Sequence, residues 1–226
     1  MHLPELKEGR QFLALLVCLL TSILLPAYIE DHLAFVVIWK LVFTVMMLAA
    51  AYTVVEKRHL WVPIVLLLTA SVATVWGQYL NEGNLWLFYL DNLTTIAFLG
   101  FVCVHFLRYI LKCDRVTTNV IYASVCVYLM GAIIWAAIFA NIHVFYGDAF
   151  RFTNVPEGVV LSKDELMGIF SYYSFVTLAT VGYGDIVPVH KVAQSWAALE
   201  GVTGQFYIAI VVARLVALHI AHKALD

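Results

Sequence analysis

The chain reads as an all-α integral membrane protein, and three observations predict it. Of its 226 residues 63% are hydrophobic and 12% charged, with a mean hydropathy of +0.91. Soluble domains average about 45–50% apolar and about 25% charged residues, so water is the wrong solvent for this surface. Six apolar runs are each long enough to cross a hydrocarbon core about 30 Å thick, which takes roughly 20 helical residues. A seventh, 166–179, is too short to cross and lies between the fifth run and the last. It reads as a re-entrant helix, which a bilayer tolerates only where protein or a water-filled cavity covers its ends.

The runs follow in order. Residues 11–28 come first. Lys7 and Arg10 ahead of them imitate a secretion signal, but Pro26-Ala27-Tyr28-Ile29 makes a poor cleavage site, so the segment is assigned as a membrane helix. The others cover 32–55, 60–80, 85–111, 116–145 and 189–220. Polar clusters punctuate them: Glu30-Asp31, Glu56-Lys57-Arg58, Asn81-Glu82-Gly83-Asn84 and Lys112-Cys113-Asp114-Arg115. Trp39, Trp61, Trp76 and Trp86 lie near the interfaces, which favour amphipathic rings. With the N-terminus inside, Lys7, Arg10, Lys57, Arg58, Arg108, Lys112, Arg115 and Lys223 fall at cytoplasmic ends, against Arg151, Lys163 and Lys191 outside. The positive-inside rule therefore predicts a multi-pass plasma-membrane protein with both termini cytoplasmic and residues 180–188 on the outer side.

Several function classes drop out. A net charge of -2 without a basic stripe gives no sign of nucleic-acid binding. Cys18, Cys103, Cys113 and Cys126 have no metal-ligand spacing and read as free thiols. No Ser-His-Asp grouping, H-E-x-x-H or P-loop string supports an enzyme.

The most specific feature is Thr180-Val181-Gly182-Tyr183-Gly184-Asp185, directly after the re-entrant helix. It resembles the T-V-G-Y-G filter of potassium channels. Ser171-Tyr172-Tyr173-Ser174-Phe175-Val176-Thr177-Leu178-Ala179 looks like that family's pore helix, and Ile186-Val187-Pro188 leads into a helix carrying Gly204, about where the family places an inner-helix glycine. The resemblance covers the chain from about Val116. Residues 1–115 match only in helix number, which divides the chain into a four-helix domain (1–115) and a pore domain (116–226).

The resemblance implies a homotetrameric channel that passes potassium down its gradient. Each chain would join three identical subunits in lipid, with no cofactor and K+ as the permeant ligand. Carbonyls of Thr180, Val181, Gly182 and Tyr183, with the Thr180 hydroxyl, would replace the ion's hydration. Gly182 and Gly184 permit the positive φ such a backbone needs. Asp185 would sit at the outer mouth. Tyr172 and Tyr173 stand where the family often has tryptophans and would support the filter. The alternative of another class is a nonconducting receptor or sensor on a pore-like scaffold.

The inner helix carries two glycines, Gly201 and Gly204, open to two readings: a hinge or close packing through small residues. Gln205, Ile208 and Val212 share one helical face and are the candidates for the cavity and an apolar constriction. Glu200 and Arg214 are intramembrane charges, each costing about 2.5–3.5 kcal/mol near the centre of a span. Glu200 is expected to bond toward pore-helix hydroxyls and Arg214 to snorkel toward the inner interface. Residues 85–107 contain no Lys or Arg, only Asp91, so the repeated cations of a voltage sensor are missing and steep voltage gating is not expected. Lys40 and Asp91 both fall about 10 Å below the outer ends of their helices and are expected to form an interhelical ion pair. His105, His219 and His222 read as solvated interface histidines.

Overall fold

A computed structural model of the protein describes residues 5–25, 33–54, 61–81, 83–153, 155 and 161–223. Pro26-Ala27-Tyr28-Ile29, Glu30-Asp31, Glu56-Lys57-Arg58 and Glu82 lie outside the described residues, as do the side chains of Lys7, Arg10, His219, His222 and Lys223.

Helices occupy the places that hydropathy assigned to them. They are α1 (Glu5–Leu24), α2 (Leu33–Val54), α3 (Trp61–Leu80), α4 (Leu85–Lys112), α5 (Thr118–Tyr146), the short α6 (Lys163–Leu178) and α7 (Lys191–Tyr207). A π-helical turn, Ile208–Val212, joins α7 to α8 (Ala213–Lys223). Five stretches are long and apolar enough to cross a membrane: Val36–Val54, Trp61–Leu80, Leu85–Lys112, Thr118–Tyr146 and Lys191–Leu218. Among the described residues the apolar part of α1, Gln11–Leu24, is shorter than that. Five of the six predicted spans thus meet the length requirement among the described residues.

Two short strands went unpredicted. β1 (Phe150–Phe152) pairs antiparallel with β2 (Ile186–Pro188), placing Arg151 opposite Val187. The ribbon ties the segment after α5 to the segment after Asp185.

Two apolar cores organise the helices. One unites α1–α4 with the first half of α5, around Leu15, Met46, Ile64, Leu99, Phe106 and Met130. The other surrounds α6, with Phe139 and Ala140 of α5, Phe150 of β1, Phe88 of α4 and Ala193 of α7 around Phe170 and Tyr173. Its rings meet mostly edge to face: Phe139–Tyr173 at 5.1 Å, Phe150–Phe170 at 4.9 Å and Phe150–Tyr173 at 5.3 Å. Lipid tails are as apolar as these side chains, so packing and polar bonds decide which helix faces meet.

Polar bonds also correct one expectation. Lys40 is buried, and its Nζ lies 3.0 Å from Oδ1 of Asp164 in the first turn of α6, so its ion pair does not run to Asp91. Asp91 instead accepts a hydrogen bond from the Thr74 hydroxyl of α3 at 3.1 Å. Depth in the bilayer suggested Lys40 and Asp91 as partners; the ammonium makes its close contact with Asp164 and acts on Asp91 only as a nearby charge. Trp39 and Tyr79 add ring faces at 5.7 and 5.9 Å from the ammonium, a further stabilisation of a desolvated cation.

Lys40→Met is therefore expected to destabilise the protein by about 3 kcal/mol, since it removes the buried ammonium that pairs with the Asp164 carboxylate. Unfolding midpoints in detergent should show coupling between Lys40→Met and Asp164→Asn, on the scale of about 0.5–3 kcal/mol. Stronger coupling of Lys40→Met to Asp91→Asn would reverse the assignment.

Candidate functional site

The site begins with α6. Ser162 caps it: the hydroxyl accepts from the Glu165 amide at 3.2 Å, and Glu165 Oε2 accepts from the Ser162 amide at 2.6 Å. Asp164 and Glu165 in the first turn also oppose the positive end of the helix dipole. The helix starts at Lys163, ahead of the apolar run that announced it, and the Ser162-x-x-Glu165 spacing is the sequence signal for that start. Lys163 donates to the main-chain oxygen of Asn84, at the beginning of α4, at 2.9 Å.

At its other end α6 passes straight into the hexapeptide. The Thr180 amide bonds to the Thr177 carbonyl at 3.0 Å and the Val181 amide to the Val176 carbonyl at 2.9 Å, so the last turn of the helix holds the loop. Backbone φ is positive at Thr180 (58°), Gly182 (60°) and Gly184 (78°), and at no intervening residue. A left-handed φ at every second residue sets this backbone apart from a uniform strand, whose φ is negative throughout. Two of the three left-handed places go to glycine, which has no Cβ to clash. Thr180 is β-branched and costs roughly 1–3 kcal/mol there, so its neighbours must hold it.

Behind the loop stands Tyr172. Its hydroxyl donates to Asp185 Oδ2 at 2.8 Å, and its ring lies nearly parallel to that of Tyr183, 4° apart in plane and 6.4 Å between centroids. Bonding to the Asp185 carboxylate raises the Tyr172 phenol above its ordinary pKa, which keeps the donor proton in place. Asp185 Oδ1 accepts the Ile186 amide at 3.1 Å, and the Asp185 carbonyl accepts from Thr153 at 2.8 Å. The carboxylate at the end of the hexapeptide is therefore fixed from α6 and from its own chain, and its main chain from the β1 side. Tyr173, the other tyrosine singled out, points away into the aromatic core and contacts Phe139 and Phe150. Thr153 had no signal in the sequence.

The inner helix meets α6 at Gly204. A Cβ on Gly204 would stand 2.5 Å from the Leu178 carbonyl oxygen, a main-chain atom that cannot step aside, so this glycine serves close packing. A Cβ on Gly201 would meet nothing within 4 Å. One residue further, Gln205 Nε2 reaches Thr180 Oγ1 at 3.4 Å. Gln205, Ile208 and Val212 are all exposed in the single chain while Val211 is buried, as a shared outward face requires. Ile208 and Val212 bound the π-helical turn, a local unwinding that is frequent at functional sites. Glu200 is fully buried and bonds Ser174 of α6, which matches the expectation for a pore-helix hydroxyl.

Arg214 finds its partners at the end of α4. It donates to the Leu111 and Cys113 carbonyls at 2.7 and 3.3 Å, so it caps the C-terminal end of α4. A guanidinium there satisfies carbonyls that the helix leaves open and meets the negative end of the dipole.

Residues 116–220 match a protein-family model described as ion channel. No curated protein and no solved structure matches the chain. The matched stretch holds α5, α6, the hexapeptide and most of the inner helix. Over that stretch the chain is similar to ion channels, and together with the five long apolar stretches the match supports a multi-pass membrane protein.

Two glycine substitutions test the packing geometry. Gly204→Ala should lower the unfolding midpoint strongly, by a cost of about 1–3 kcal/mol or more for overpacking. Gly201→Ala should leave it unchanged or raise it, since alanine is the better helix former by about 1 kcal/mol.

Proposed function

We propose that the chain is one of four identical subunits of a potassium-selective channel, with K+ as the transported ion. The alternating backbone at Thr180, Gly182 and Gly184 carries this reading. It supplies a column of carbonyls from Thr180, Val181, Gly182 and Tyr183, with the Thr180 hydroxyl below, as a substitute for the water shell of an alkali cation. One column surrounds an ion on one side only, so four chains are needed around an axis. The C-terminal end of α6 stops beside Thr180, and its partial negative charge favours a cation waiting below the column.

Exposure in the single chain supports assembly. Val181 and Tyr183 are 51% and 71% exposed, although side chains behind a filter must be packed to hold it. In the most apolar 18 residues of Lys191–Leu218 only 11% are buried, against 67% of the corresponding stretch of α5. That inner helix also exposes Thr203 and Gln205, polar groups that suit a water-filled cavity better than lipid. Ile208 and Val212 then line the narrower end of the cavity. Asp185 concentrates cations at the outer mouth, in the orientation the Lys and Arg distribution favours. Since α4 has no Lys or Arg before Arg108, conduction is proposed to be without steep voltage dependence.

Purified protein in liposomes should take up rubidium down a potassium gradient and exclude sodium. Gly182→Ala, which puts a Cβ on a backbone at φ 60°, should reduce selective uptake by at least about tenfold. Equal sodium and potassium flux would refute selectivity. Flux absent at every pH and voltage tried would favour a nonconducting receptor. Mass measurement in detergent should give four chains per particle.

A further inference from the structure

We propose that Glu200 stands behind the filter as a protonated carboxylic acid, and that its proton positions α6 between the inner helix and α5. The argument is a proton count. Ser174 Oγ lies 2.5 Å from Glu200 Oε1 and 2.8 Å from the main-chain oxygen of Ala132 in α5. A serine hydroxyl has one proton and a carbonyl has none. Both contacts are hydrogen bonds only if Ser174 donates to Ala132 and Glu200 donates to Ser174. An ionised Glu200 would leave two acceptors competing for one proton, with a lone pair facing a lone pair on the losing side.

The surroundings agree with the neutral form. Glu200 and Ser174 are both 0% exposed. Glu200 Oε2 is buried without a hydrogen-bond partner, an arrangement far less costly for the carbonyl of an acid than for half a carboxylate. The titratable groups facing Glu200 are Tyr128 from α5 and Tyr173 from α6, and neither is cationic. Among the described residues no Lys, Arg or His forms a salt bridge with it.

The resulting chain runs from the acid proton of α7, through the hydroxyl of α6, to a carbonyl of α5. It lies one helical turn before Gly204, where α7 touches Leu178, and two residues after Ser174 comes Val176, whose carbonyl holds the Val181 amide. Glu200 is thus a positioning residue for the carbonyl column. Loss of its proton replaces a donor by a buried negative charge and unseats α6. The sign follows: the neutral acid is the competent form, so the seat is intact at neutral pH and is lost as pH rises far enough to ionise Glu200.

Infrared difference spectroscopy on the full-length protein tests the proton directly, wild type against Glu200→Gln. A carbonyl stretch of a protonated acid should appear at neutral pH only in the wild type and vanish in alkali. A wild type showing only carboxylate bands overturns the proposal, whatever the protein conducts. The positioning role, which rests on the channel reading, is tested by rubidium uptake. Wild-type uptake should fall about tenfold from neutral to alkaline pH, the scale of one lost buried hydrogen bond. Glu200→Gln, whose amide N–H still donates to Ser174, should lose that fall, and Glu200→Ala should conduct poorly throughout. Coincident pH profiles for wild type and Glu200→Gln would reject the role.

Discussion

A file of carbonyls on one side of a strand requires the backbone to cross into the left-handed region at every second residue. Glycine accepts that conformation at Gly182 and Gly184, but the third place belongs to Thr180, which resists it. The loop cannot hold this shape alone. Its inner end is bonded to the Val176 and Thr177 carbonyls and contacted by Gln205, and its outer end is fixed through Asp185 to Tyr172. Every one of those partners belongs to α6 or α7, so these two helices, with Thr153 on the Asp185 carbonyl, hold the loop.

That dependence explains why so many unusual contacts converge on a 16-residue helix. α6 is held at its start by a capping box and the Lys40–Asp164 pair, and along its middle by Ser174 and by aromatic rings. At its end the missing side chain of Gly204 lets the inner helix come up against Leu178. Such a helix, too short to span, cannot rely on lipid to satisfy its ends. Intramembrane polar groups that would be a burden elsewhere supply the satisfaction here.

Much of this was legible in the sequence. Apolar runs separated by charge clusters locate the helices to within a few residues, because the bilayer imposes one length on all of them. The hexapeptide marked its own backbone through the spacing of two glycines, and Glu200 was correctly directed at a hydroxyl of α6. The partner of Lys40 was not legible. Hydropathy gives a side chain's depth but not the azimuth at which its helix faces its neighbours, and Asp164 was hidden by counting α6 only from its first apolar residue. Three-residue strands such as β1 and β2 carry too little pattern to be seen, and Arg214 could be placed at an interface without revealing which helix end it would cap.

The charged and polar contacts also fix how the first four helices join the matched domain. α4 is 28 residues long, about 40 Å of helix. At its start the Asn84 carbonyl receives Lys163 from the beginning of α6, and at its finish the Leu111 and Cys113 carbonyls receive Arg214 from beyond the π-helical turn. Midway, Asn92 donates to Asn141 of α5 at 2.7 Å. α4 is therefore a strut held near each end by the matched stretch, from the start of α6 to the first turn of α8. A displacement of α4 along its axis cannot be absorbed by sliding in an apolar groove, because it would break specific bonds at both ends. The sequence that lacks a voltage sensor's cations in this helix has used its ends for attachment instead.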